Sequence, residues 1–119
     1  FKRINDTYGH ENGDRILRMV ATTLRQNLRA DDTSARWGGE EFLILFYDID
    51  QKGLEAASEK LRLLIEKSRL RTGLEQINIT LSIGATMARF EDDIVSILRR
   101  ADTLMYKSKV NGRNRVTIG

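Results

Sequence analysis

Cysteine is absent from the 119-residue chain. Its absence excludes disulfide staples, thiol nucleophiles and cysteine-ligated zinc, and it fits a reducing compartment. Proline is absent too, so no stiff proline-rich linker divides the chain. His10 is the one histidine, and a lone histidine is more often a surface or packing residue than a catalyst. No apolar run approaches the roughly 20 residues of a membrane-spanning helix, and no signal-peptide pattern opens the chain. A large excess of one charge is missing as well: 20 Lys and Arg stand against 17 Asp and Glu, a net charge of +3. The cations are dispersed, and the one Trp, three Tyr and four Phe are scattered through core-like positions. Neither offers a track or stacking platform for nucleic acid, and no nucleic-acid partner is expected. There is no repeat and no low-complexity tract. What remains is one domain's worth of chain, able to bury a core without staples. The sequence opens at Phe1 without Met, inside what reads as a motif, so a piece of a longer protein is expected.

Hydrophobic spacing predicts three helices. Ile16, Leu17, Val20, Leu24 and Leu28 form one stripe over 14–29, with Asp14 a good N-cap. Leu54, Ala57, Leu61, Leu64 and Ile65 do the same over 54–70. Ile94, Ile97, Leu98, Ala101, Leu104 and Met105 mark a third helix over 94–109, capped by Asp92 or Asp93 and stopped by Asn111-Gly112. Strands are predicted over 33–37, over 42–47 (a continuous apolar run, expected to be covered on both faces) and over 115–118. Residues 77–86 alternate apolar and polar and read as one strand with a buried face. Gly38-Gly39 predicts a two-residue hairpin turn, because both positions tolerate positive φ. The order helix, hairpin, helix, strand, helix, strand implies an α/β (α+β) sandwich of the ferredoxin-like type, whose first strand would lie before Phe1.

Four clusters carry possible chemistry. The turn Gly38-Gly39-Glu40-Glu41-Phe42 sets two carboxylates beside exposed amides, which suits a hard cation bridging to phosphate oxygens. It reads equally as a glycine turn with a solvated acidic end. In a strand, Glu40 and Glu41 would face opposite ways and could not share one role. In the opening segment, Asn5 and Asp14 offer an amide and a carboxylate suited to a guanine edge. Lys109 and Arg113, near the end of the last helix, can grip a polyphosphate as a point charge and a fork, or simply answer the helix dipole. Arg29-Ala30-Asp31-Asp32, five residues before the glycine pair, means little alone.

Together these segments resemble the GGDEF family, the diguanylate cyclases that join two GTP into cyclic di-GMP, and the likeness runs from Phe1 to Gly119. It is carried by Gly38-Gly39-Glu40-Glu41-Phe42, by Phe1-Lys2-Arg3-Ile4-Asn5-Asp6-Thr7-Tyr8-Gly9-His10, and by Ala101-Asp102, Met105-Tyr106-Lys107-Ser108-Lys109 and Gly112-Arg113-Asn114. The resemblance implies one palm-type GGDEF domain over 1–119, missing its N-terminal strand. It implies that Asn5, His10 and Asp14 bind guanine, and that Gly38 and Gly39 line the nucleotide. Glu40 becomes metal ligand and base for the 3′-hydroxyl, with Glu41 supporting the metal site. Lys109, Arg113 and the backbone near Phe1 and Lys2 would hold the triphosphate. Arg29 and Asp32 match the family's inhibitory site for product, with Lys60 or Arg62 as its secondary cation.

By the same resemblance, two Mg2+ per site (Mn2+ being possible) serve a two-fold homodimer, and a sensor or receiver domain lies upstream. The location is expected to be cytoplasmic, in a protein that can itself be membrane-anchored. The family's other metal-binding Asp would precede Phe1, so the 119-residue piece alone is expected to make little cyclic di-GMP. Two other readings compete. One is a silent GGDEF module that binds GTP or cyclic di-GMP as a receptor; intact signature positions speak for the enzyme. The other is a palm-like nucleotidyltransferase acting on a nucleic-acid strand, which would need a basic track that the chain lacks.

Overall fold

Apolar residues recurring every three or four positions give each helix one buried stripe, and the strands run between them. The computed structural model describes the backbone of residues 10–68, 70–72 and 75–119, and the side chains of these except 10, 12, 70–72 and 75. One compact unit lies within Phe1–Tyr47 and Arg69–Ile77, and a second within Asp48–Ser68 and Asn78–Gly119. Among the described residues no helix is long and apolar enough to cross a membrane.

In the first unit, helix α1 spans His10–Gln26 and buries Ile16, Leu17, Val20 and Leu24. The helix begins earlier than its apolar residues announce: its opening turn carries no large apolar side chain, and Gly13 is buried there without leaving a hydrophobic signal. Asp14 therefore sits exposed inside the helix and is not its N-cap; a cap must precede the first turn. Leu28 lies beyond the helix, whose end tightens through Asn27 N–H to the Leu24 carbonyl at 3.1 Å.

Strands β1 (Thr33–Arg36) and β2 (Phe42–Leu45) pair antiparallel, with Arg36 opposite Phe42 as the last pair. The turn between them is residues 37–41, longer than the two-residue turn expected, and neither Gly38 nor Gly39 takes a positive φ. Trp37 N–H continues the ladder one step by donating to the Glu41 carbonyl at 2.8 Å. Strand β2 is not covered on both faces: Phe42, Leu43 and Ile44 are half-buried and Leu45 is exposed. A second antiparallel hairpin, β3 (Leu70–Thr72) with β4 (Glu75–Ile77), was not foreseen. It takes Leu70 from the expected second helix and Ile77 from the expected long strand, and the alternation over 77–86 breaks at 78–81.

The second unit is built on a parallel pair, β5 (Ser82–Ala85) with β6 (Arg115–Ile118). Parallel neighbours need a crossover, which helix α3 (Ile94–Val110) supplies. Helix α2 (Gln51–Glu66) packs on the same two strands and buries Leu54, Ser58, Leu61 and Ile65. Each large apolar side chain buried this way contributes about 1.5–3 kcal/mol. The α3 backbone comes so close to β5 that a Cβ on Gly84 would lie 2.2 Å from Met105 N and 2.3 Å from the Ala101 carbonyl oxygen. Ser108, fully buried on α3, fits the same narrow gap; its hydroxyl donates to the Ile83 carbonyl at 2.8 Å and pairs with Thr117 Oγ1 at 2.6 Å.

Asp93, not Asp92, caps α3, in a reciprocal box with Ser96. Ile94 in the first turn is exposed, and the inward stripe begins a turn later at Ile97 and Leu98. Asp92 is occupied otherwise. Its carboxylate accepts from both Arg100 Nη atoms, at 2.9 and 2.5 Å, from Arg89 N–H at 2.8 Å and from the Ser96 hydroxyl at 2.8 Å. Arg100, followed by Arg89 N–H, holds the Asp92 carboxyl well below the usual carboxylate range. A depressed carboxylate stabilises the fold above its unfolded pKa of about 3.9, and that contribution fades as pH falls through the lower folded value. Asp92→Asn is therefore expected to lower Tm at pH 7. The gap from the native protein should narrow as thermal unfolding is repeated from about pH 4 down to about pH 2; a gap that stays constant would remove this ion pair from the account.

Candidate functional site

The turn at 37–41 takes its form from backbone and from one arginine. Arg36, the last residue of β1, turns back on the loop: Nη2 donates to the Gly39 carbonyl at 2.6 Å and Nε lies 3.4 Å from the Gly38 carbonyl. Gly38 N–H reaches the Glu41 carbonyl at 3.4 Å. Sequence reasoning missed Arg36. The signal was present, since an arginine directly before a glycine pair can reach the carbonyls that the turn frees.

Neither glycine is required by the chain's own packing. A Cβ at Gly39 would meet nothing within 4 Å, and one at Gly38 would make ordinary contact with the Glu41 side chain at 3.7 Å. Their φ angles are not left-handed. What the glycines provide is open space over the backbone, where a group from outside can approach closely. Glu40 is exposed and Glu41 half-buried, and both lie in the turn ahead of β2. Strand alternation therefore does not force them to opposite faces, and the expected conflict of roles is lifted.

The donor chemistry suits a hard divalent cation shared with a ligand. Among the described residues no three His, Cys, Asp or Glu side chains group as a metal cage. Magnesium typically takes only one or two protein carboxylates and completes its octahedron with phosphate oxygens and water. Glu40 and Glu41 fit that part.

Asp14 stands exposed on α1. Asn5, the His10 side chain and the backbone at Phe1 and Lys2 lie outside the described residues. Arg29 and Asp32 are in direct contact. Asp32 Oδ2 accepts from Arg29 N–H at 3.0 Å and from Arg29 Nε at 3.4 Å, while Oδ1 accepts from Tyr47 N–H at 3.2 Å. Arg29 Nη2 donates to the Tyr47 carbonyl at 2.5 Å. The Asp32 side chain is only 2% exposed and that of Arg29 59%. Burial pushes the Asp32 carboxyl up, but hydrogen bonds from the Arg29 and Tyr47 N–H groups, with the Arg29 side chain, leave it below its ordinary value. Asp32 thus works as a clasp that sets Arg29 at the surface.

In the second unit, Lys109 occupies the last turn of α3 and Arg113 follows its cap at Asn111. Gly112 takes φ 119°, and Arg113 N–H returns to the Ser108 carbonyl at 2.9 Å, closing the helix as the sequence expected. Arg113 and Asn114 both hold left-handed φ, 62° and 48°. Of the two candidates for a secondary cation, Arg62 is 14% exposed and bound by Glu59, Glu66 and Asn114. Lys60 is exposed, on an open groove of α2 lined also by Leu63, Leu64 and Lys67. The structure thus sets Gly38, Gly39, Glu40 and Glu41 in one turn and Arg29 against Asp32, both in the first unit, and places Lys109 and Arg113 at the end of α3 in the second.

The family model for the diguanylate cyclase GGDEF domain matches residues 1–115. Diguanylate cyclase A of Treponema denticola is 42% identical over 119 residues, with 99% of this chain and 32% of that protein aligned. The response regulator PleD of Caulobacter vibrioides is 40% identical, with 98% of this chain and 26% of PleD aligned. The chain thus spans about a third or less of these curated relatives. Among solved structures, the GGDEF domain of DgcB from Caulobacter crescentus, in complex with c-di-GMP, superposes with a TM-score of 0.93 at 33% identity, covering 98% of this chain and 70% of that one. Diguanylate cyclase SiaD from Pseudomonas aeruginosa, in complex with its activator SiaC, gives a TM-score of 0.95 at 33% identity, covering 99% and 45%. Such domains have the palm-type α/β fold, which agrees with the mixed class read from the order of elements. The chain belongs to the GGDEF family of diguanylate cyclase domains.

Proposed function

We propose that this domain condenses two GTP into cyclic di-GMP and releases two pyrophosphates. The observation that carries the reading is the 37–41 turn: two glycines that neither handedness nor internal packing demands, followed at once by two carboxylates. In each half-reaction the 3′-oxygen of one GTP attacks the α-phosphorus of the other. A new P–O bond forms, the bond to the β-phosphate bridging oxygen breaks, and pyrophosphate leaves with the electron pair. The second attack closes the ring.

The protein's part is positioning and charge neutralisation. Gly38 and Gly39 let the nucleotide lie against the backbone, and Arg36 keeps the loop carbonyls turned to itself. Glu40 accepts the 3′-hydroxyl proton. Lys109 and Arg113 neutralise the triphosphate, and Asn5, His10 and Asp14 select guanine. Magnesium or manganese, two ions per site held by Glu40 and Glu41 with further ligands, supplies Lewis acidity at the phosphate when bound. Each domain holds one GTP, so a two-fold homodimer assembles the reacting pair.

Product inhibition belongs to the same reading. Arg29, set at the surface by Asp32, binds cyclic di-GMP, and product and productive GTP assembly then weaken each other reciprocally. Control by an upstream sensor or receiver domain and a cytoplasmic site of action complete the proposal.

Gly39→Ala separates ligand approach from folding. Its Cβ meets nothing and its φ is ordinary, so Tm is expected to stay within about 2 °C of native. The methyl group would stand where the nucleotide lies, and GTP affinity is expected to fall about tenfold or more by the cost of overfilling a packed contact. Paired melting and binding measurements check it; unchanged affinity would move the nucleotide away from this turn.

A further inference from the structure

In the second unit Asp48 holds a left-handed backbone singly at φ 49°, whereas Arg113 and Asn114 hold it in succession, at φ 62° and 48°. Asparagine tolerates that region, but arginine has no local reason to adopt it. Such a conformation persists when its surroundings over-determine it. Here they do. The Asn114 side chain is used at both ends: Oδ1 accepts from Arg62 Nη1 at 2.8 Å, and Nδ2 donates to Glu66 Oε2 at 2.5 Å. Arg62 in turn donates to Glu66 Oε2 at 2.9 Å, to the Asn114 carbonyl at 3.5 Å and to the Glu59 carboxylate. The three side chains Arg62, Glu66 and Asn114 thus form a closed ring of contacts tying the turn after α3 to the last turns of α2.

Arg62 is only 14% exposed and anchors the ring from beneath, while Glu66 closes it at the surface. Asn114, followed by Arg62, holds the Glu66 carboxyl below its ordinary value, so the ring stays charged at neutral pH. Just before this clasp in the chain lies Arg113, which is exposed and whose own N–H is fixed to Ser108.

We propose that Arg62, Glu66 and Asn114 are positioning residues that hold Arg113 in the backbone conformation from which its guanidinium engages the nucleotide's phosphates. The inference rests on the reading of Arg113 as a phosphate ligand. A ring that only stabilises the fold would affect all ligands alike. A ring that aims Arg113 affects only ligands that carry the phosphates Arg113 grips.

The test uses the full-length protein and two probes: α,β-methylene GTP, in which the bond broken in the reaction is replaced by carbon–phosphorus, and guanosine, which has no phosphate. Affinities are measured by competition for Asn114→Ala, Arg113→Ala and the double variant. Asn114→Ala is expected to weaken the analogue about tenfold, the scale of one lost charge-assisted hydrogen bond, and to leave guanosine unchanged. In the Arg113→Ala background it should add less than about twofold, because the residue it positions is gone. Arg62→Lys keeps the charge but loses the fork, and serves where Asn114→Ala fails to fold; it should show the same dependence on phosphate. Equal losses for analogue and guanosine, or losses that add fully to Arg113→Ala, would overturn the positioning role while leaving Arg113 as a ligand. If Arg113→Ala itself leaves analogue affinity unchanged, the reading of Arg113 fails and the inference fails with it.

Discussion

Glu40→Gln is expected to slow cyclic di-GMP synthesis by the full-length protein on the order of hundreds-fold, the scale seen when one group that stabilises a transition state is lost. The substitution keeps size and shape and removes only the negative charge and the proton-accepting oxygen. Glu40 is exposed in the turn before β2, where a surface interaction is worth at most about 1 kcal/mol, so Tm should fall by no more than about 4 °C. The loss should appear mainly in kcat, because an interaction that acts on the developing charge is stronger in the transition state than in bound GTP. Initial rates with saturating GTP and magnesium, beside a melting curve, check both halves. Near-native turnover would take Glu40 out of the chemistry.

Gly84→Ala is expected to do the opposite, destabilising the fold while touching no nucleotide. The added methyl would stand 2.2 Å from Met105 N, 2.3 Å from the Ala101 oxygen and 2.7 Å from Leu104 C. All three are backbone atoms of α3, which cannot rotate aside as a side chain can. Relief requires lifting the helix from β5, which would also part the buried Ser108 hydroxyl from the Ile83 carbonyl and Thr117. Overpacking of this kind costs about 3 kcal/mol or more, which for a domain of this size lowers Tm by more than about 10 °C. A midpoint within about 2 °C of native in thermal unfolding would contradict the close approach of α3 to β5. The contrast with Gly39, where a Cβ meets nothing, separates a glycine that serves packing from one that leaves room for a ligand.

The helices were legible because each carries a stripe of branched apolar residues, chiefly Leu and Ile, and the capping and stop signals at Asp93 and Gly112 worked as local chemistry predicts. Their ends were less so. Helix α1 starts at His10, before its first large apolar residue, since a small buried Gly13 leaves no hydrophobic mark. The hairpin β3–β4 escaped notice because Leu70 and Ile77 each fit the period of a neighbouring element. The turn at Gly38 was found, but its length was not, because glycines announce a bend without fixing where the ladder stops.

At the candidate site, the residue types were legible as a set and their supports were not. Nothing in a linear reading says that Arg36 holds the loop carbonyls, that Asp32 clasps Arg29, or that Arg62 is spent on Asn114 across 52 positions of chain. Those partners are chosen by tertiary proximity. The left-handed Arg113 is of the same kind, because its backbone is set by Ser108 and by Asn114's bonds to α2 rather than by its own propensity.

The central claim is that the Gly38–Glu41 turn serves synthesis rather than recognition alone. Incubating the full-length protein with GTP and magnesium and separating the nucleotides tests it most directly. The account predicts that GTP is consumed, that cyclic di-GMP appears, and that two pyrophosphates are released for each ring closed. GTP or cyclic di-GMP retained by the protein, with the GTP pool unchanged, would contradict it and leave a receptor in place of an enzyme.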